Sequence, residues 1–122
     1  MNDDTFNLDV LLRRNVPVRQ IDAGEKIFLE HDIGREMYVV VSGRVDVLTY
    51  GKVLEQIGPG GIFGEMALVD DGPRSAAALA AEATEVVVID ENMFAVLLRA
   101  EPGFAIAVMR VLAKRLRRRE HT

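Results

Sequence analysis

The sequence predicts a mainly β fold, an antiparallel sandwich or jelly roll, with one helix before it and two helices after it. Short apolar runs follow one another from Val16 onward, and glycine turns separate them, as in proteins built from many short strands. The segments before Arg14 and after Asp90 show helical patterns instead. The chain has 122 residues, of which 49% are hydrophobic, so we expect a single domain over residues 1–122.

The first predicted element is a helix from Thr5 to Arg14. Its apolar residues are too numerous for one narrow stripe, and either Thr5 or Asn7 could cap its N-terminus. We expect this helix to pack over one end of the β domain.

Seven strands are predicted after this helix. They are Val18–Asp22, Glu25–Leu29, Met37–Ser42, Arg44–Tyr50, Val53–Ile57, Ser75–Ala81 and Glu85–Asp90. The third and the seventh contain nearly continuous apolar runs, which favour strands that are buried on both faces.

Two helices are predicted at the C-terminal side. One begins at Asp90 or Asn92 and ends before Glu101, where Pro102 and Gly103 follow. The other runs from about Phe104 into the basic cluster Arg117–Arg119. Apolar residues cover more than half of its circumference, which predicts contact with the β domain and leaves open contact with another helix.

Composition and charge exclude several classes of function. The net charge is −4, so the chain as a whole does not attract nucleic acid, and we expect no direct DNA binding because no helix-turn-helix follows the last helix. There is no cysteine, no apolar run of membrane-spanning length and no signal-peptide pattern, so we expect a cytoplasmic protein without membrane insertion. The two histidines are isolated, which argues against a metal site and against catalysis.

The stretch from Phe63 to Ala76 carries the candidate binding chemistry. A short helical turn after Gly64 would leave the backbone N–H groups of Met66, Ala67 and Leu68 free to bind an anion. Gly64 has no Cβ and so allows close approach of the backbone to a ligand.

Two charged side chains flank this predicted anion site. Arg74 supplies a planar, permanently charged fork that suits a phosphate, and Glu65 is placed to accept a hydrogen bond from a sugar hydroxyl. Together they predict a ligand with a phosphate on a ribose. The alternative is that Arg74 pairs with Glu65, or with Asp70 or Asp71 in a surface salt bridge of little energetic value.

The same stretch resembles the phosphate-binding cassette of cyclic nucleotide-binding domains, on residues Phe63–Leu68 and Arg74–Ala76. Such domains occur in bacterial cAMP receptor proteins, cyclic-nucleotide-gated channels and regulatory subunits of protein kinase A. The resemblance implies that Glu65 binds the ribose 2′-hydroxyl and that Arg74 and Ser75, with the backbone of two neighbours, hold the cyclic phosphate. The implied ligand-binding residues are Phe63, Gly64, Glu65, Met66, Ala67, Arg74, Ser75 and Ala76.

The resemblance extends to the early strands, through Ala23–Phe28, Gly34, Met37–Tyr38 and Ser42–Val45. It implies an antiparallel β-roll, and it places a strand over Ala76–Ala81, which helix propensity alone would make a helix. Two positions depart from the family pattern. His31 stands where Gly is common and Gly61 where Asp is common, and we expect only a local turn adjustment because His tolerates positive φ.

The resemblance implies a regulatory domain, not an enzyme, that binds cAMP or cGMP without a cofactor and signals by movement of its last helix. The output would pass to a protein partner or through self-association by that helix. The alternative is an interaction or dimerisation domain that keeps the fold but no longer uses nucleotide.

The end of the last helix is the candidate lid over the base. Alignment places Arg119 near the position at which relatives cap the base, and its guanidinium could stack on a purine. Ser75 could also meet the amino group of guanine. We therefore expect both nucleotides to bind, with a modest preference for cAMP. For the cluster Arg117–Arg119, favourable charge at a helix C-terminus, a lid or partner contact, and nucleic-acid binding stay open as alternatives.

Overall fold

The protein folds into two four-stranded antiparallel sheets with helices packed outside one of them. The structure, a computed structural model, describes residues 5–70 and 72–120, with side chains as far as Arg118. The strands are β1 (Val18–Ile21), β2 (Lys26–Phe28), β3 (Glu36–Ser42), β4 (Val45–Thr49), β5 (Lys52–Ile57), β6 (Ile62–Phe63), β7 (Ala77–Ala80) and β8 (Thr84–Asp90). The helices are α1 (Leu8–Arg13), α2 (Met66–Val69), α3 (Glu91–Ala100) and α4 (Pro102–Glu120).

The first sheet has the strand order β1-β8-β3-β6 and the second β2-β7-β4-β5, with every pairing antiparallel. The predicted β-roll with one N-terminal and two C-terminal helices is confirmed. None of the helices in the described part of the chain has both the length and the apolar character needed to cross a bilayer.

Strands β3 and β8 separate two hydrophobic cores, which confirms the prediction that both strands are buried on both faces. Along β3, Met37 and Val39 pack with α1, α3 and α4, whereas Tyr38 and Val40 point into the roll between the sheets. This division follows from the alternation of side chains along a strand. Apolar residues at successive positions therefore serve different cores.

Two polar side chains cap helices as their sequence positions suggested. The Asn7 side chain accepts a hydrogen bond of 2.9 Å from the N–H of Asp9, and the Asp90 side chain accepts one of 2.8 Å from the N–H of Met93. Asn7 and Asp90 are thus the caps of α1 and α3, and the alternatives Thr5 and Asn92 are not. Thr5 instead forms an isolated antiparallel bridge with Gly61.

Some predicted boundaries were wrong. Helix α1 is shorter than predicted because the chain before Asn7 bonds to the Gly60–Gly61 turn, through the N–H of Phe6 and the carbonyl of Gly60. Helix α4 begins at Pro102 and not near Phe104, since proline is well accommodated at the first helical position. The two-residue strand β6 was missed because it is too short to show an alternating pattern.

The alanine-rich segment is a strand, Ala77–Ala80, as the resemblance implied and against its helix propensity. Pairing with neighbouring strands decides the conformation, because β7 lies between β2 and β4 and pairs with both. Ala78 and Ala80 are fully buried in the core of the roll. His31 has φ 74°, so the turn keeps the conformation that glycine favours, as predicted.

Candidate functional site

The turn between β6 and α2 carries the first part of the predicted cassette, which lines a cavity together with residues of α4. Helix α2 has no side-chain cap, so the N–H groups of Met66 and Ala67 stay as candidate anion donors. The prediction for Leu68 was wrong: its N–H donates to the carbonyl of Glu65 at 3.0 Å, because the chain tightens into a short turn there.

Gly64 is required by both backbone conformation and space. Its φ is +78°, in the left-handed region that glycine adopts at little cost. A Cβ there would lie 3.0 Å from Nη1 of Arg74 and 3.1 Å from Cδ2 of Tyr38. The close approach predicted for Gly64 therefore involves the arginine of the cassette itself.

Arg74 is buried, with 5% of its surface exposed, although arginine is rarely buried without partners. Its Nη1 donates to the carbonyl of Gly64 and its Nη2 to the carbonyl of Glu36, each at 2.8 Å. Within the described residues it makes no ion pair with Glu65 or Asp70. Asp71, the remaining alternative partner, lies outside the described residues.

Among the described residues, no carboxylate forms an ion pair with Arg74. Burial lowers the pKa of Arg74 below its ordinary value, and the neighbouring Tyr38, Glu36 and Glu65 offset part of that effect. The guanidinium stays charged at neutral pH, since arginine starts far above that range. A buried cation with spare donors favours an incoming anion.

Aromatic rings support this arginine. The ring of Phe28 lies 4.1 Å from Cζ of Arg74, a cation–π distance, and 6.0 Å from the ring of Tyr38. Phe63 stacks on Tyr38 with centroids 5.0 Å apart and is itself almost fully buried. Phe63 therefore contributes to the core as well as to the site.

Glu65 is 1% exposed and forms an ion pair with Nη1 of Arg115 on α4. Arg115 also donates to both carboxylate oxygens of Glu55 at 3.1 and 3.3 Å and to the carbonyl of Ile62 at 3.0 Å. Nη2 of Arg118 donates to Glu55 at 3.2 Å. Two carboxylates from the roll thus hold two arginines of α4.

The two carboxylates control the ionisation of Arg115. Burial disfavours the charged form, but the nearby Glu65 and Glu55 carboxylates outweigh that cost and raise the pKa of Arg115 above its ordinary value. Arg115 is therefore a fixed positive charge at the edge of the site. A carboxylate has two oxygens, so Glu65 can hold Arg115 with one and offer the other to a ligand.

Arg74, Glu65 and Arg115 all line one cavity of about 140 Å³. The eight residues that the resemblance implied all line it, together with Phe28, Val47, Leu54, Glu55, Leu112, Arg115, Leu116 and Arg118. Ser75 is exposed at its edge, where a ligand could reach the hydroxyl. The side chain of Arg119, the lid candidate, lies outside the described residues, and its role stays a prediction.

Sequence reasoning missed three residues of this site: Phe28, Glu55 and Arg115. Phe28 was assigned only to a strand, and Arg115 only to a basic helix. The separation of Glu55 and Glu65 from Arg115 along the chain carries no local pattern that predicts their contact. In the part of the chain that the structure describes, no group of three or more potential ligand side chains could hold a metal ion.

Comparisons with known proteins agree with this geometry. The family model described as "Cyclic nucleotide-binding domain" matches residues 18–101. A cyclic AMP receptor protein from Thermus thermophilus is 38% identical over 99 residues, which cover 77% of this chain and 46% of that relative. The chain therefore spans about half the length of this curated relative.

Solved structures share the fold over nearly the whole chain. The crystal structure of the Thermus thermophilus catabolite activator protein matches with a TM-score of 0.80 and 36% identity, over 93% of this chain and 55% of that one. A structure described as "A cyclic-GMP-dependent signalling pathway regulates bacterial phytopathogenesis" matches with a TM-score of 0.79 and 27% identity, over 93% and 96% of the two chains. The matched family model includes the whole cassette and both sheets. This chain belongs to the cyclic nucleotide-binding domain family.

Proposed function

We propose that this chain, as a single domain over residues 1–122, binds cAMP or cGMP reversibly and signals through movement of α4. One observation carries the proposal: the eight implied ligand-binding residues line one cavity that also contacts α4. The role is regulatory and not enzymatic. We propose a cytoplasmic location and no direct contact with DNA, in keeping with the net charge of −4.

The phosphate and the ribose have separate recognition groups in this proposal. Arg74 and Ser75 bind the cyclic phosphate with the N–H groups of Met66 and Ala67, because all four residues line the cavity and can supply donors to an anion. Glu65 accepts a hydrogen bond from the ribose 2′-hydroxyl. The buried charge of Arg74, which has no carboxylate partner among the described residues, supports binding of an anion over a neutral ligand.

Helix α4 is the proposed moving part. Ligand pockets commonly enclose about 300–1000 Å³, whereas this cavity measures about 140 Å³. Leu112, Arg115, Leu116 and Arg118 of α4 form one of its walls. We infer that a nucleotide that enters displaces some of these side chains and that the helix responds to occupancy in this way.

Self-association through α4 is the proposed route of output. Ile106, Met109 and Leu116 are 44%, 58% and 58% exposed, although they are large apolar side chains. Their spacings of three and seven residues, with Ala113 between the last two, match the apolar positions of a coiled-coil heptad. A second copy of α4, or a helix of a protein partner, would cover this stripe.

The alternative is an interaction domain that no longer uses nucleotide. The ion pair between Glu65 and Arg115 favours it, because a protein side chain already holds one oxygen of the carboxylate proposed to bind ribose. In that case α4 would stay docked, and the exposed stripe alone would carry the function.

Titration calorimetry with cAMP and cGMP separates the two functions. We expect both nucleotides to bind, with a modest preference for cAMP, and linear AMP to bind more weakly because it lacks the cyclic phosphate. If neither cyclic nucleotide gave binding heat while circular dichroism showed a folded protein, the proposal of nucleotide binding would fail and the interaction domain would be the function that remains.

The ribose contact is tested by replacing Glu65 with glutamine. We expect affinity to fall by about three- to tenfold, because a hydrogen bond to a charged acceptor becomes a neutral one. A 2′-deoxy nucleotide should already bind wild type weakly and lose little more with Glu65→Gln. Glu55→Gln is the matched control: it also disturbs Arg115, but the preference for the 2′-hydroxyl should persist. Simple additivity of the two losses would show that Glu65 does not contact that hydroxyl.

The stripe on α4 is tested by the double variant Ile106→Lys and Met109→Lys. We expect it to weaken self-association at least about tenfold, because burying two lysines removes apolar contact and adds repulsion. Sedimentation velocity over a concentration series measures the change. Leu98→Lys on α3 is the control, since Leu98 is also an exposed apolar residue but lies off the stripe. If the wild-type protein is monomeric at all concentrations, self-association is refuted, and a helix of a protein partner remains the proposed cover of the stripe.

A further inference from the structure

The guanidinium of Arg74 lies in a narrow slot between Phe28 and Gly34. Its Cζ is 4.1 Å from the centroid of the Phe28 ring. An ideal Cβ on Gly34 would lie 2.5 Å from Nε and Nη2 of Arg74 and 2.6 Å from Cζ, which is far inside contact distance. We propose that Gly34 and Phe28 are positioning residues of the phosphate site, which act on the phosphate through Arg74. This inference rests on the proposed function.

The slot and the carbonyls together determine the direction of the guanidinium. Carbonyls of Gly64 and Glu36 take one N–H from each terminal nitrogen of Arg74. Its Nε is buried and has no hydrogen-bond acceptor among the described residues. An arginine has five N–H donors in a rigid plane, so the orientation of that plane decides which of the remaining donors meet an anion. Contacts that hold the plane therefore reduce the ordering cost of binding.

The loop that carries Gly34 is tied to Arg74 by the backbone as well. The N–H of His31 donates to the carbonyl of Arg74, and the N–H of Arg74 donates to the carbonyl of Asp32, each at 2.8 Å. These two bonds hold the loop and the arginine in register. A side chain added at Gly34 cannot be relieved by a free loop movement, so the guanidinium has to leave its slot.

Gly34 permits a test of space without backbone strain. Its φ lies outside the left-handed region, so alanine can adopt the same backbone conformation. Gly64 would not serve, because its φ of +78° would add strain to any substitution. Gly58 is a matched control: its φ is also outside that region, and a Cβ there would have no heavy atom within 4 Å.

We expect Gly34→Ala to lower the affinity for cAMP and cGMP by roughly tenfold, about the loss of one charge-assisted hydrogen bond, and Gly58→Ala to leave it unchanged. In an Arg74→Ala background, Gly34→Ala should cost nothing further, because the group it displaces is absent. The loss should be the same for 2′-deoxy nucleotides, since the ribose contact is separate. An equal loss with and without Arg74, measured by calorimetry, would overturn the proposal.

Phe28→Leu provides a second variant if Gly34→Ala does not fold. It removes the ring but keeps apolar volume. In a double-mutant cycle with Arg74→Ala, the losses of nucleotide affinity should be non-additive.

The NMR signal of the Arg74 Nε–H gives a readout without ligand. In wild type its chemical shift should be altered by the Phe28 ring and its proton should be protected from exchange with solvent. In Gly34→Ala the signal should lose both properties. If wild type binds neither nucleotide, the proposed function fails, and this signal alone decides whether Gly34 positions Arg74. An unchanged signal in Gly34→Ala would refute the positioning role in either case.

Discussion

Replacing Arg74 with alanine is expected to lower the affinity for cyclic nucleotide at least about tenfold, because each charge-assisted hydrogen bond it makes is worth about 1.5–3 kcal/mol. We expect a large effect because the guanidinium is buried and its hydrogen-bond partners among the described residues are carbonyls, which leave its charge available to an anion. Titration calorimetry with cAMP and cGMP measures the loss.

Two variants control this result. Arg74→Lys keeps the charge without the planar fork and should fall between wild type and Arg74→Ala. Arg14→Ala removes a positive charge that pairs with Glu101 away from the cavity, and its affinity should not change. Wild-type affinity in a folded Arg74→Ala protein would show that the cassette does not bind phosphate here.

Replacing Arg115 with methionine is expected to lower the free energy of unfolding by about 2–4 kcal/mol, because it leaves the carboxylate of Glu65 buried without its partner. The side chain of Arg115 is 19% exposed and that of Glu65 is 1% exposed, so water can compensate only in part. Urea denaturation followed by circular dichroism gives the change.

The matched control is Arg118→Met, on the same helix and at the same carboxylate, Glu55. Arg118 is 34% exposed, so its loss should cost less than about 1 kcal/mol. Adding Glu65→Gln to Arg115→Met should recover part of the stability, since no buried charge is then left unpaired. If Arg115→Met is as stable as wild type, the ion pair does not hold α4 to the roll.

Most strands and the cassette could be predicted because their signals are local, whereas β7 needed the family resemblance to override its helix propensity. The apolar runs of β3 and β8 occupy successive positions, so burial on both faces can be inferred without knowing the partners. The cassette is a gapped motif over Phe63–Leu68 and Arg74–Ala76, and it could be recognised by the residue types and by the spacing between its two segments. These predictions needed no information on how distant segments pack.

The parts that failed depend on contacts between distant segments. Arg115 reaches Glu65 and Glu55 only because α4 crosses the open side of the roll, and no pattern in α4 encodes that crossing. The error at Leu68 is local instead: its N–H was expected to be free, but it donates to the carbonyl of Glu65 three residues earlier, within the single turn of α2. Short elements such as β6 are defined by their partner strand, here β3, and not by their own composition.

The wall formed by β3 and β8 has a mechanical consequence. A shift of β3 by one residue would move Met37 and Val39 into the core of the roll and Tyr38 and Val40 into the core beneath the helices. Neither pair would then fit the core that it entered. The wall therefore behaves as a fixed frame, which cannot slide to transmit a change from the roll to the helices. In the proposed function, a signal from an occupied cavity would reach α4 through the side chains that α4 places at the cavity: the arginines that pair with Glu65 and Glu55, and the apolar Leu112 and Leu116. Helix α4 would then respond to the ligand through charged and apolar contacts at the cavity, while strands β3 and β8 keep their register.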